Sequence, residues 1–170
     1  MIALVDLNTM GRADFVATLS GIFEHSPWVA QAAHGSRPFE SLEALHAAMV
    51  AVVQAAPLEK RLGLLRAHPE LAARSERKAD LTAESTAEQA SAGLDTLDAD
   101  AGARLSAANR LYRQRFGFPF IIAVRGQRDR AAILRALEAR TANGEAEEIE
   151  TALKEIANIA WFRLSDLVTN

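Results

Sequence analysis

The chain has 170 residues, 49% of them hydrophobic, enough for one substantial core and within the usual size of a single domain. Its 19 basic and 22 acidic residues leave a net charge of -3, which excludes the basic field that nucleic acid or an anionic membrane surface requires. Cysteine is absent, which excludes disulfides, thiolate metal sites and a cysteine nucleophile.

The opening residues Met1 to Val5 reach Asp6 with no basic residue before it, and the apolar stretch is too short for a signal peptide. The longest apolar stretches, residues 47–53 and 118–124, fall far short of the roughly 18 to 20 residues that span a bilayer. A cytoplasmic chain folded as one domain over residues 1–170 is therefore expected.

Apolar residues recur at helical spacing along most of the chain, which predicts an all-α, single-domain helical bundle. Phe15, Leu19, Ile22 and Phe23 form the first stripe, and Ser26 before Pro27 then marks a helix start, with serine at the cap and proline at the first helical position. Ser41 opens the next helix, which carries Leu42, Leu45, Met49, Val52 and Val53. Pro57 separates it from a helix with Leu58, Leu62 and Leu65, and Pro69 disfavours helical geometry at His68. Residues 74–83 are charged and poorly periodic and read as a surface loop before a helix that starts near Ser85. A helix through Leu105, Leu111 and Tyr112 stops at Gly117, Asn143-Gly144 ends another, and the last carries Ile149, Leu153, Ile156, Ala160 and Leu167 on one stripe. Residues 117–124 are continuously apolar apart from Gly117 and Pro119, are followed by Gly126, and read as extended or irregular. If that run is buried its backbone N–H and C=O groups need partners, and a bound polar ligand is one way to supply them.

Few residues carry obvious chemistry. The histidines at 25, 34, 46 and 68 form no zinc signature, and Glu24-His25 is an uninformative pair. His68 stands where Pro69 breaks a helix, a common place for functional side chains, although an imidazole at a helix C-terminus is also favoured by the helix dipole. Ser85 and Glu88 have capping-box spacing, which starts a helix; the same start offers N–H groups at Thr86, Ala87 and Glu88 to an anion or polar heterocycle. Arg163 falls on the apolar stripe of the last helix. It either pairs with an internal carboxylate or snorkels to solvent, or it grips a substrate carboxylate or carbonyl inside a cleft. No Gly-rich phosphate loop and no Ser-His-Asp ordering is present.

Three ordered blocks carry a resemblance: RAHPELAAR at residues 66–74, LTAESTAEQASAGLD at 81–95 and YRQRFGFPFIIAVRG at 112–126. With Leu7-Asn8, residues 15–30, Arg37-Pro38-Phe39 and residues 155–168, they make nearly the whole chain resemble the OHCU decarboxylases, which act on 2-oxo-4-hydroxy-4-carboxy-5-ureidoimidazoline. The resemblance implies the all-α fold of that family, a homodimer, no cofactor and no metal, and release of carbon dioxide to leave (S)-allantoin in urate degradation, downstream of urate oxidase and hydroxyisourate hydrolase. It implies that His68 is the catalytic histidine and Glu88 its acidic partner. Ser85, Thr86, Ala87, Gln89 and Arg163 would bind substrate, and Pro69 with Phe120, Ile121, Ile122, Ala123 and Val124 would form the pocket wall. The chain ends in Val168-Thr169-Asn170 without a peroxisomal address, which favours a cytoplasmic, bacterial setting. Two rivals stand beside this reading: a decarboxylase of a related ring-opened purine acid, and a helical module that binds such a ligand without turning it over.

Overall fold

The computed structural model describes residues 1–71, 99–127 and 129–169. The chain is mainly helical, as the apolar periodicity predicts, and divides into two compact units. Met1–Ala67 with Ala157–Asn170 form the first, and His68–Ile156 form the second. Among the described residues no helix is long and apolar enough to cross a membrane.

In the first unit, β1 (Ile2–Ala3) and β2 (Val168–Thr169) pair in parallel, with Ile2 beside Val168 and Ala3 beside Thr169. The helices are α1 (Leu4–Thr9), α2 (Arg12–Thr18), α3 (Pro27–Ala33), α4 (Leu42–Ala55) and α5 (Leu58–Ala67). α3 packs on both α2 and α4, and Phe15, Val29, Ala33, Leu45 and Met49 lie in the core. Leu19, Ile22 and Phe23 are buried as their spacing suggests, but α2 stops at Thr18 and tight turns carry the chain onward. The bonds Ile22 N to Leu19 O and Ser26 N to Phe23 O close turns of about three residues, which keeps those side chains inward without a helix.

Cap chemistry sets several boundaries. Ser41 is extended and its hydroxyl accepts from Ala44 N at 3.2 Å, whereas Ser26 holds the cap position of α3 without a side-chain bond. The proline at the first helical position, which needs no donor there, is the start signal that acts. Pro57 stands between α4 and α5, and α5 ends at Ala67, two residues before Pro69. α5 buries Leu64 and Leu65, while Leu58 is half exposed.

The motif residues near the N-terminus bind one another. Arg37 donates to the carbonyls of Asn8 (3.0 Å) and Met10 (2.6 Å), where α1 ends and its last carbonyls lack helical partners. Asn8 then exchanges two bonds with the backbone of Phe39: Nδ2 donates to the carbonyl at 2.9 Å and Oδ1 accepts from the N–H at 2.8 Å.

In the second unit are α6 (Ala99–Phe116), α7 (Arg130–Arg140) and the start of α8 (Glu145–Leu167), whose end belongs to the first unit. α7 begins at Asp129, whose carboxylate accepts from Ala132 N at 2.7 Å, and it ends at Arg140 because Thr141, Ala142 and Asn143 continue only as turns. α6 ends at Gly117, which adopts φ +74° and donates to Arg113 O at 2.9 Å. Beyond it residues 118–123 belong to no helix or strand, and Val124–Gly126 form a 3-10 turn. The run is nonetheless buried, because Phe118 and Phe120 set their edges against the ring of Tyr112 at 5.9 and 5.3 Å between centroids. Full burial of each phenylalanine contributes roughly 1.5–3 kcal/mol.

A Cβ at Gly117 would meet nothing within 4 Å, so replacement strains only the left-handed backbone. Gly117→Ala should lower stability by about 1–2 kcal/mol in urea unfolding with no change in helical content; an unchanged midpoint would contradict the glycine cap.

Candidate active site

His68 follows α5 directly, and its half-buried ring has a solvent-shielded Nδ1. The residues after it are tied to α6: the Leu71 carbonyl accepts from Asn109 Nδ2 at 3.0 Å, and Glu70 lies 3.6 Å from Arg113. Asn109 is buried, so that bond fixes the path of residues 68–71 in the absence of a helix. The other histidines are engaged differently. His46 Nε2 lies 2.8 Å from the Ala157 carbonyl, with the ring edge-on to Trp161. His34 packs edge-on to Phe15, and desolvation followed by the charges of Arg37 and Arg12 holds its pKa below the usual imidazole value. His25 adopts φ 47° in the turn before α3.

The run at 120–124 is fixed through its backbone by side chains. Arg140 Nη1 donates to the Ile121 carbonyl at 2.8 Å with its guanidinium over the ring of Phe120, and Ala123 N–H donates to Glu155 Oε2 at 2.8 Å. A buried irregular run needs partners, and for these two groups the protein supplies them, where the sequence left room for a ligand to do so.

Arg140 is itself held by Glu148, which is completely buried. Its Oε1 accepts from Arg140 Nε and Nη2 at 2.9 and 2.6 Å and from the hydroxyl of Tyr112, and its Oε2 accepts from Asn143 Nδ2 at 2.8 Å. The carboxylate thus faces donors on both oxygens, the condition under which a buried charge is tolerated. The pKa of Tyr112 is pushed far above the ordinary phenol value, first by burial and then by its hydrogen bond to Glu148 and that group's charge.

Arg163 is buried on α8, within the first unit. Its Nη1 donates to the Gly21 carbonyl at 2.8 Å and to Glu24 Oε2 at 2.9 Å, and Glu24 is equally buried. The internal carboxylate, one of the explanations open from sequence, is therefore present.

Of the residues singled out from sequence, His68 and Pro69 lie together at the end of α5, Phe120, Ile121, Ile122, Ala123 and Val124 form one buried run, and Arg163 stands on α8. Ser85, Thr86, Ala87, Glu88 and Gln89, with the helix start and the loop before it, lie outside the described residues. Among the described residues no group of three or more His, Asp or Glu side chains converges as a metal site would require. Sequence reasoning missed Glu24, Tyr112, Arg140, Glu148 and Glu155 as supports. Only Glu24, an acid directly after the apolar Ile22-Phe23 pair, carried a signal that could have been read.

Residues 8–165 match the sequence model of a family described as OHCU decarboxylase. The 2-oxo-4-hydroxy-4-carboxy-5-ureidoimidazoline decarboxylase of Haloferax volcanii is 44% identical over 97% of this chain and 95% of its own. The mouse protein of the same description is 42% identical over 97% of this chain and 92% of its own. Among solved structures, an (S)-allantoin synthase superposes with a TM-score of 0.79 and 30% identity over 98% of this chain; the chain spans about half of it, 54%. An OHCU decarboxylase crystallised in the presence of (S)-allantoin gives a TM-score of 0.65 and 28% identity, with 88% of this chain and 96% of that one covered.

Tyr112 is the sole tyrosine in the chain, so its phenolate absorbance can be read alone. The unfolded chain ionises near pH 10 while the folded one keeps its proton, so the unfolded state binds fewer protons above that pH. The contribution of this group to stability is therefore intact below about pH 10 and falls as pH rises beyond it. Alkaline titration should show phenolate only together with loss of helical circular dichroism; ionisation near pH 10 in the folded chain would refute the buried network.

Proposed function

Because the chain belongs to the OHCU decarboxylase family, we propose that it converts 2-oxo-4-hydroxy-4-carboxy-5-ureidoimidazoline to (S)-allantoin and carbon dioxide in urate degradation. The observation that carries this reading is the family match over residues 8–165, with 44% and 42% identity to decarboxylases named for this substrate. Our finer reading has the enzyme working in the cytoplasm as a homodimer, without cofactor or metal.

The substrate supports the cofactor-free part. It carries the leaving carboxylate and a hydroxyl on one ring carbon beside a C=N bond. As the bond to the carboxylate breaks, its electron pair becomes a ring C=C and the C=N electrons move to nitrogen, which takes a proton. The enol then loses its hydroxyl proton, the neighbouring carbon gains one, and the ring carbonyl forms. The electron sink that a cofactor would supply is thus within the substrate.

What the protein must add is orientation and control of these proton transfers, one of them to a single face. In our reading His68, oriented by Glu88, performs the acid and base steps, for which an imidazole titrating near neutrality is suited. Arg163, Gln89, Ser85, Thr86 and Ala87 fix the carboxylate, ureido and ring carbonyl groups, and Pro69 and residues 120–124 wall the ring. The anchoring of residues 68–71 on α6 supports the part given to His68, since a general acid must keep its place through the reaction. The Glu24 contact supports the part given to Arg163, because a guanidinium already held in place loses less freedom when it binds.

The test is the circular dichroism of allantoin formed from urate by urate oxidase and hydroxyisourate hydrolase, with and without this protein. Rapid appearance of the S enantiomer is expected. His68→Asn should slow it by about 10²–10⁴-fold, the usual contribution of a general acid or base, while leaving the fold intact. A racemic product formed at the spontaneous rate would overturn the assignment, and near wild-type turnover by His68→Asn would overturn the role of the histidine.

A further inference from the structure

The run at 120–124 is buried yet belongs to no helix or strand, so its shape rests on whatever holds its polar backbone groups. Two of those groups are held from known places. The Ile121 carbonyl is held by Arg140, itself fixed on Glu148, and the Ala123 N–H is held by Glu155. Glu148 and Glu155 stand two turns apart on α8, so they share one face of that helix. One helix face therefore sets the run at two points, indirectly at residue 121 and directly at residue 123.

We infer that Glu155 is a positioning residue for the decarboxylation proposed above, acting through Ala123 N–H to fix the 120–124 wall against which the substrate ring would lie; the inference rests on that proposed function. Ala123 also precedes the 3-10 turn, which closes through Gly126 N to Ala123 O at 3.1 Å and Gln127 N to Val124 O at 3.0 Å. A carboxylate that accepts the Ala123 amide thus fixes the point where extended backbone becomes a turn. The bond is charge-assisted, and Glu155 is only half-buried, so it can be replaced without opening the core. The same bond commits the Ala123 N–H to the protein. Any wall amide that binds substrate is then another of the run.

The experiment compares wild type, Glu155→Ala and Glu155→Gln by steady-state kinetics on freshly generated substrate, by thermal unfolding, and by amide hydrogen exchange at Ala123. Loss of folded molecules lowers the apparent kcat and leaves KM alone, so KM is the readout that a purely structural role would not move. Glu155→Ala should raise KM by about fivefold or more and speed exchange at Ala123, while Glu155→Gln, which keeps an acceptor oxygen, should bring KM back to within about twofold of wild type. A KM unchanged in Glu155→Ala, or exchange at Ala123 that does not respond, would overturn the inference and leave the proposed function standing. Equal impairment of Glu155→Gln and Glu155→Ala would also overturn it, because the hydrogen bond would then not be the acting feature. If Glu155→Ala fails to fold, the same two readouts on Glu155→Ser, which cannot span the gap, decide the matter. Wild-type protein that does not turn over the substrate would overturn the proposed function and this inference with it.

Discussion

The carboxylate of Glu148 lies where water cannot reach it, and the second unit is arranged so that donors meet both of its oxygens. Tyr112 brings a hydroxyl from α6, Arg140 a guanidinium from the end of α7, and Asn143 an amide from the turn that follows. Three separate elements are thereby drawn to one point. A buried charge that lost one of these partners would face a desolvation penalty of several kcal/mol, so the arrangement admits little local variation. Arg140 then extends the constraint outward, to the carbonyl of Ile121 and the ring of Phe120.

This explains how a helical unit carries a buried, irregular run of backbone. Helices satisfy their own amides, whereas residues 118–123 have no such means. Aromatic packing on Tyr112 supplies the burial, and Arg140 and Glu155 supply polar partners. α6 serves both segments, because Asn109 and Arg113 secure the residues that follow His68 while Tyr112 secures the run. The first unit applies the same device where its chain leaves helical geometry. Arg37 collects the carbonyls at the end of α1, and Arg163 collects that of Gly21 in the turns after α2.

Several of these features were legible in the sequence because their causes are local. Proline at 57 and 69 marks the breaks around α5, Gly117 marks the end of α6, and Ser41 caps α4, each through the conformation or donor count of one residue. The apolarity of residues 118–124 signalled a buried segment outside the amphipathic pattern, and the position of Arg163 on its stripe signalled a buried cation. Periodicity misled where tight turns imitate a helix. Leu19, Ile22 and Phe23 recur at helical intervals and point inward, yet turns of three residues satisfy the same spacing. The Asn143-Gly144 pair placed the end of α7 three residues too late for a similar reason, since Thr141 to Asn143 keep turn bonds after the helix has stopped.

By itself the sequence determined the helical class, most of the helix limits and the family, because apolar periodicity, caps and motif blocks are each written in neighbouring residues. Only the tertiary structure decided which polar groups meet. Glu24 finds Arg163 across 139 positions, Asn8 finds Phe39 across 31, and Tyr112 finds Glu148 across 36. The pairing of Ile2 with Val168 likewise joins the two ends of the chain. A charged or polar side chain reads the same in sequence whether it faces water or another side chain. Burial alone makes a partner obligatory, and burial is set by packing between segments far apart in the chain.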